Sequence, residues 1–207
     1  MECNNKQFSN YWISNNDIII IKQHFNDDIK KINLSNGIKT IIFANYVIVS
    51  IDNTNNAKYK VMSKFNQTVD NLPHNLLNLT FGDSFNQTVD NLPHNLLNLT
   101  FGDSFNQTVD YLPSTLINLT FGCYFNQSLN NLPNLLISVN FAKNNDFYRF
   151  FNYNKQLNCL PNSICEIILP ENYEQEIKHI PFNLKKIYCS STYKYINKLG
   201  KIQITHL

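Results

Sequence analysis

Cysteine and histidine are the residues of this chain that are best suited to catalysis or metal binding, and the sequence contains five of each. A thiolate acts as a nucleophile when a base such as histidine activates it, and both residue types bind zinc at closely paired spacings. Cys159 and Cys165 lie six positions apart, but no second pair completes a zinc site. We therefore predict structural cysteines, no catalytic residue, no metal and no cofactor. An enzyme based on cysteine chemistry is the least favoured alternative.

Aspartates recur at intervals of twenty residues and form two candidate columns. One column contains Asp70, Asp90 and Asp110, and the other contains Asp83 and Asp103. Two carboxylates about 4.8 Å apart repel by about 1 kcal/mol even in water, so we expect both columns to face solvent. Calcium bound along a column is an alternative, because Ca²⁺ prefers carboxylate oxygens. The glycine-rich nonapeptide of calcium-binding β-rolls is absent, which makes this alternative the weaker one.

Asparagines recur at the same interval, at Asn66, Asn86, Asn106 and Asn126, and we predict Asn152 as a fifth member. An asparagine side chain can satisfy backbone donors and acceptors at a turn that leaves them unpaired. The pattern therefore predicts a stacked asparagine ladder with a structural role. The repeated Asn-x-Thr triplets are by-products of the same interval, and we do not predict glycosylation there.

These intervals come from one phrase that occurs three times. FNQTVDNLPHNLLNLTFGDS occupies residues 65–84 and again 85–104, and FNQTVDYLPSTLINLTFGCY follows at 105–124. The apolar positions of the phrase fit neither a helical nor a strand period, and they are Phe65, Val69, Leu72, Leu76, Leu79 and Phe81. A closed coil that returns to its starting place every twenty residues fits all of them. One coil buries too little apolar surface to offset its conformational entropy, so coils must stack.

The sequence thus predicts a mainly β, right-handed solenoid of about eight coils of twenty residues. Short strands around Leu79–Thr80–Phe81 line one face, and Pro73 marks a corner, which leaves room for little helix. We expect a short helix through Ile18–Phe25 and a faint coil at 45–64. The predicted division of the chain is an N-terminal cap at 1–24, a solenoid at 25–207, core repeats at 65–144, and degenerate repeats at 25–64 and 151–204.

The line Phe-Asn-x-x-Leu/Val-x-x-Leu-Pro-x-x-Leu-x-x-Leu-x-Phe resembles the FNIP repeat. This family occurs in social amoebae and in giant viruses that infect amoebae, and it is usually classed with the leucine-rich repeats. The resemblance implies a solenoid of leucine-rich-repeat type. Residues 65–68 read FNQT, without the proline of the family name. Residues 1–24 contain no F-box pattern, so the resemblance does not imply a ubiquitin-ligase role.

The strand surface is the predicted site of function. Side chains that flank the inward leucines must point outward, and the binding residues that we predict there are Asn78, Thr80, Asn98, Thr100, Asn118, Thr120, Ile168, Lys186 and Tyr188. An aromatic insertion at 146–151 is a second candidate, with Phe147, Tyr148 and Arg149 as predicted contacts, and a packed flap as its alternative. We predict a protein–protein interaction scaffold. The alternative is a structural, virion or spacer protein without a single partner.

Composition limits the other classes of function. The chain of 207 residues has a net charge of +2, and its C-terminal lysines follow nearby glutamates, so we expect no nucleic-acid partner. The longest aliphatic run is Ile18 to Ile21, which is too short to span a bilayer, and no signal-peptide pattern is present. An odd number of cysteines without paired spacing suits a protein of a reducing compartment. We therefore expect an intracellular protein in the cytoplasm, which is the host cytoplasm if the protein is viral.

Overall fold

The computed structural model of the chain describes residues 6–7, 11–14, 17–32, 34–44, 46–47, 59–60, 63–141 and 152–207. The described residues form a parallel β-solenoid of about eight turns with almost no helix, which confirms the predicted fold class. Helical structure in this part of the chain consists of two short 3-10 segments, Ile29–Lys31 and Ile196–Lys198.

Short strands from successive coils build one sheet along the solenoid. The strands of the described residues are β1 (Lys6–Gln7), β2 (Tyr11–Ser14), β3 (Ile18–Ile21), β4 (Thr40–Phe43), β5 (Tyr46–Val47), β6 (Tyr59–Lys60), β7 (Asn78–Thr80), β8 (Asn98–Thr100), β9 (Asn118–Thr120), β10 (Ser138–Asn140), β11 (Glu166–Ile168), β12 (Lys186–Cys189) and β13 (Gln203–His206). β3, β4 and β7 to β13 pair in parallel in chain order, and β2 and β1 continue the sheet in antiparallel pairing. β5 and β6 form a separate antiparallel pair.

Equivalent positions of successive coils lie opposite each other in the sheet. Leu79 pairs in register with Leu99, which pairs with Leu119, and all three side chains are buried. Because successive strand residues point to opposite faces, Asn78 and Thr80 on either side of Leu79 point outward. The predicted single file of leucines is therefore present.

Two stacks of phenylalanine fill the interior. At the junction of two successive coils, the ring centroids of Phe81 and Phe85 lie 3.7 Å apart, and the rings are nearly parallel. Between coils, Phe81 lies 5.7 Å from Phe101, and Phe85 lies 6.1 Å from Phe105. Buried aromatic rings contribute large apolar areas, and offset stacking adds to that contribution. The two stacks hold the coils together in the same register as the sheet.

Tyrosines continue one aromatic stack in the C-terminal coils. Tyr153, Tyr173 and Tyr193 are all buried, and each introduces a phenolic hydroxyl into the interior. Tyr173 Oη donates to the carbonyl of Lys155 at 3.0 Å, and Tyr193 Oη donates to that of Gln175 at 2.8 Å. Among the described residues, no hydrogen-bond partner lies within reach of Tyr153 Oη.

Glycine is required at the corners that follow β8 and β9. A Cβ added to Gly102 would overlap the backbone carbonyl of Gly82, and one added to Gly122 would overlap that of Gly102. Glycine lacks a Cβ and so permits this close approach of two backbones. The repeated corner therefore fixes the spacing between coils on this side of the solenoid.

The predicted helix through Ile18–Phe25 is wrong over its first four residues, which form β3. Ile19 and Ile21 point into the core and are buried, while Ile18 and Ile20 alternate outward. Branching at Cβ makes isoleucine favour a pleated strand, and pairing with β4 satisfies the backbone. Four consecutive isoleucines were better evidence for a strand than for a helix.

The faint coil predicted at 45–64 does not add a strand to the parallel sheet. β4 pairs directly with β7, so no strand lies between them. Tyr59–Lys60, near the end of this segment, pairs in antiparallel fashion with Tyr46–Val47. The described part of this segment is therefore an excursion from the stack.

Candidate functional site

The outward side chains of the parallel strands form a surface that we call the strand ribbon. Its first column contains Ile18, Thr40, Asn78, Asn98, Asn118, Ser138, Glu166, Lys186 and Gln203, and its second column contains Ile20, Ile42, Thr80, Thr100, Thr120, Asn140, Ile168, Tyr188 and Thr205. The structure thus places every strand residue that the sequence predicts for binding on one continuous surface. Parallel strands set a repeat of about 4.8 Å along both columns.

A ladder of side-chain amides runs along the first column. Asn98 Nδ2 donates to Asn78 Oδ1 at 2.6 Å, and Asn118 Nδ2 donates to Asn98 Oδ1 at 2.6 Å. Asn78 Nδ2 donates to Thr40 Oγ1 at 3.0 Å, which ends the ladder on a hydroxyl. Each amide carries two N–H donors and two acceptor lone pairs, so the bonds along the ladder occupy half of its capacity. Asn118 is exposed and Asn78 and Asn98 are half-buried, so solvent or a ligand can satisfy the remaining capacity.

The C-terminal part of the strand ribbon has a different chemistry. Ile168 lies beside Tyr188 in register, and Glu166 lies beside Lys186. Lys186 Nζ donates to Tyr188 Oη and lies 4.3 Å from the centroid of the tyrosine ring. The hydrogen bond to Tyr188 raises the pKa of Lys186 above its ordinary value. Tyr188 and Ile168 are half-buried, which is less exposure than the sequence suggested.

Sequence reasoning missed an apolar N-terminal end of the strand ribbon. Ile18, Ile20 and Ile42 occupy outward positions and are only half-buried. The alternation of the isoleucine run was a sufficient signal, but the predicted helix concealed it. Apolar side chains therefore lie at both ends of a centre that is polar and uncharged.

A second apolar column, which we call the shoulder, borders the strand ribbon and was also missed. It consists of half-buried or exposed aliphatic residues one position before the first column, namely Leu77, Leu97, Ile117 and Ile137. Ile137 is 42% exposed, and Leu135 beside the shoulder is 60% exposed. The signal was available in the sequence, because the six inward positions do not account for the aliphatic residue at Leu77 and its equivalents.

The two aspartate columns have opposite environments. Asp70 and Asp90 are exposed, as expected, and Asn91 Nδ2 donates to Asp70 Oδ1 at 3.0 Å. The prediction that Asp83 and Asp103 face solvent is wrong, because both are buried. Asp83 Oδ1 accepts from the backbone N–H of Asp103 at 3.3 Å, so the carboxylate serves as a bridge between coils. Among the described residues, no cluster of three or more ligating side chains suits a metal ion.

The corner asparagines form the predicted ladder between coils. Asn66 Oδ1 accepts from the backbone N–H of Asn86 at 2.8 Å and from Gln87 Nε2 at 3.1 Å. The predicted next member, Asn152, is wrong. Asn154 takes that position, because its backbone N–H donates to Asn126 Oδ1 at 3.4 Å. The insertion before this coil shifts the spacing, so Tyr153–Asn154 replaces the Phe–Asn pair of the earlier coils.

The central coils also match a known repeat family. Residues 65–104 and 88–124 each match the FNIP Repeat family. Residues 65–124 are FNIP repeats. The amide ladder and the phenylalanine stacks described above lie mainly in these FNIP repeats. No curated protein matches the chain.

One solved structure resembles the chain over most of its length. This protein is CroV588 of the giant virus CroV, described as a novel circular leucine-rich-repeat protein, and it shares 30% sequence identity with the chain at a TM-score of 0.54. The similarity covers 89% of this chain and 32% of CroV588, so the chain spans about a third of that protein's length. The FNIP repeats and the divergent coils beside them therefore share the leucine-rich-repeat fold.

The cysteines of the described residues differ in exposure. Cys123 and Cys189 are buried, Cys165 is half-buried and Cys159 is exposed. Burial raises the pKa of the Cys189 thiol, which disfavours the reactive thiolate. The geometry therefore gives Cys189 a packing role.

The predicted loop contacts Phe147, Tyr148 and Arg149 lie outside the described residues. In the ranges that the structure does describe, no helix is long and apolar enough to cross a membrane. The strand ribbon is therefore the candidate site whose geometry can be stated.

Proposed function

We propose that the protein is a scaffold for protein–protein interaction and that it binds its partner through the strand ribbon. FNIP and leucine-rich repeats belong to families that are generally non-enzymatic, and a solenoid of this kind suits a scaffold. The strand ribbon is the outer face of a sheet that extends over nine parallel strands, and an extended face of this kind suits a macromolecular partner better than a small molecule. The partner would lie across several coils at once.

The observation that carries this proposal is the amide ladder of Asn78, Asn98 and Asn118. Hydrogen bonds along the ladder fix each side-chain torsion before a ligand arrives. Ordering a side chain on binding costs about 0.5–1.5 kcal/mol, so side chains that are already ordered retain more of the interaction energy. Each amide still offers one donor and one acceptor. The threonine hydroxyls of the second column add further polar contacts.

The C-terminal end of the strand ribbon supplies a candidate anchor. Energetically dominant residues of interfaces are enriched in aromatic side chains that carry both apolar area and a polar atom. Tyr188 meets that description, and its neighbour Ile168 extends the apolar area. Lys186 over the tyrosine ring holds the ring in place through a cation–π contact.

We also propose an intracellular, cytoplasmic location. Cys159, Cys165 and Cys189 are not in disulfide bonds, and free thiols suit a reducing compartment. If the protein is viral, this compartment is the cytoplasm of the host. Fractionation of cells that contain the native protein tests this location directly.

The proposal is tested by affinity capture with two matched double variants. Ile168→Asp with Tyr188→Asp places charges on the anchor, whereas Tyr111→Asp with Phe182→Asp changes exposed aromatic residues away from the strand ribbon. We expect one dominant captured protein with the parent and with the second variant, and its loss with the first. Equal capture by both variants, while thermal melts show both to be folded, would contradict the proposal.

A further inference from the structure

We propose that a second copy of this chain is a partner of the strand ribbon, so that two solenoids pack face to face through this surface. This inference rests on the proposed function, because it assigns the occupant of the same surface.

The repeat distance selects the class of partner. Side chains along each column recur about every 4.8 Å. An extended peptide laid along the column advances about 3.3–3.4 Å per residue, and a helix rises about 1.5 Å per residue, so neither stays in step with the ladder. Another sheet with strands parallel to these has the same repeat over the whole length. Stacked identical side chains on two such sheets can interdigitate, as asparagine ladders do between paired sheets.

The charge of the strand ribbon permits contact between two copies. Its charged members are Glu166 and Lys186, which are adjacent in register and of opposite sign. Asn98, Thr100 and their equivalents in the neighbouring coils make the centre neutral. Two identical surfaces without net charge do not repel, whereas like charges opposite each other are strongly unfavourable. A two-fold symmetric pair of such surfaces closes on itself, as isologous dimers do.

The size of the strand ribbon sets the strength of the contact. Nine parallel strands make it about 40 Å long, and strands of three residues make it about 10 Å wide. Two copies would cover roughly 800 Å² in total, which is below the roughly 1,200–2,000 Å² of stable interfaces. The half-exposed shoulder adds apolar area along one side. We therefore expect a dimer that forms at high micromolar concentration and dissociates on dilution.

Sedimentation equilibrium of the full chain over a wide concentration range tests this inference. Thr100→Lys brings a charge from each copy into the centre of the contact, and Tyr111→Lys adds the same charge at a site that is 72% exposed and away from the strand ribbon. We expect the parent and Tyr111→Lys to dimerise alike, and Thr100→Lys to weaken dimerisation at least tenfold. Melting curves establish that all three proteins are folded.

Two outcomes would overturn the inference. One is a parent chain that stays monomeric up to the highest soluble concentration, and the other is dimerisation of Thr100→Lys with the affinity of the parent. If the parent is monomeric but its captured protein is still lost with Ile168→Asp and Tyr188→Asp, the proposed function stands and only the second copy is excluded as partner. If dimerisation depends on Thr100 but no other protein is captured, self-association is the function of the surface.

Discussion

The central coils at 65–141 and the C-terminal coils at 152–207 have the same fold but hold their surfaces in different ways. In the centre, many columns repeat one residue type over several coils, so a side chain bonds to its own equivalent, as Asn98 does to Asn78. In the C-terminal coils the columns change from coil to coil, and Lys198 pairs with Glu176 at 2.7 Å instead. The inward leucines and isoleucines continue through both regions. The core and the sheet therefore maintain the stack, and the outward columns are free to diverge.

The largest expected effect comes from breaking the shared core. Phe101→Asp places a charge between the buried rings of Phe81 and Phe105, and an unpaired charge in this apolar surrounding is costly. We expect a loss of more than about 4 kcal/mol in the free energy of unfolding and disruption of the central coils. Thermal unfolding followed by circular dichroism measures the change.

The neighbouring substitution Thr100→Asp is the matched control, because residue 100 points outward. We expect it to change the free energy of unfolding by no more than about 0.5 kcal/mol. If both aspartate variants melted within a few degrees of the parent, the buried position of the Phe101 column would be refuted.

Alkaline pH should distinguish the two regions, because only the C-terminal coils bury tyrosines among the described residues. Burial raises the pKa of Tyr153 and Tyr173 far above the usual value of about 10, and it raises the pKa of Tyr193 to about 12. A raised folded-state pKa means that the unfolded chain loses its proton first. The stabilisation is complete below pH about 10 and is lost as the pH rises through the folded-state values. We expect the C-terminal coils to unfold first above pH about 10.

Hydrogen exchange measured by mass spectrometry at rising pH locates this unfolding. Replacement of Tyr153, Tyr173 and Tyr193 together by phenylalanine removes the ionisable groups and keeps the rings. We expect this variant to retain its C-terminal coils to a higher pH than the parent. Loss of protection at the same pH in both proteins would show that the buried phenols do not control alkaline unfolding.

The smallest expected effect compares two tyrosines of the same stack. Tyr173→Phe removes the hydrogen bond to the carbonyl of Lys155 and should cost about 1 kcal/mol of stability. Tyr153→Phe removes a hydroxyl that has no partner among the described residues, so it should be neutral or stabilising by about 1 kcal/mol. Chemical denaturation of both variants measures the difference, and a larger loss at Tyr153 than at Tyr173 would contradict it.

The sequence predicted the features that depend on repetition and failed where coils interact through their backbones. Leu79 and its equivalents were assignable because the same apolar letters recur every twenty residues. The burial of Asp83 could not be predicted. Its carboxylate accepts from a backbone N–H of the next coil, and no local sequence pattern encodes this contact. Asn154 was missed because the length of an insertion fixes which residue resumes a column.

Only the part of the candidate site that follows from repetition of the sequence could be predicted. The outward positions of Asn78 and Thr80 follow from strand alternation once the inward leucine is known. The apolar end formed by Ile20 and Ile42 required knowledge that Ile18–Ile21 is a strand, and that depended on pairing with a distant segment. The twenty-residue period of the central coils therefore predicted inward and outward positions there, but it did not predict them where the spacing changes.

The ladder of corner asparagines allows the solenoid to change in length by whole coils. Asn86 accepts from Asn106 the same bond that it donates to Asn66, so each coil presents to the next one the surface that it received. The contact is the same at each of these junctions and does not depend on the number of preceding coils. Gene duplication of one whole phrase therefore extends the protein as a monomer extends a polymer, and the two identical phrases at 65–104 are what one such event would leave.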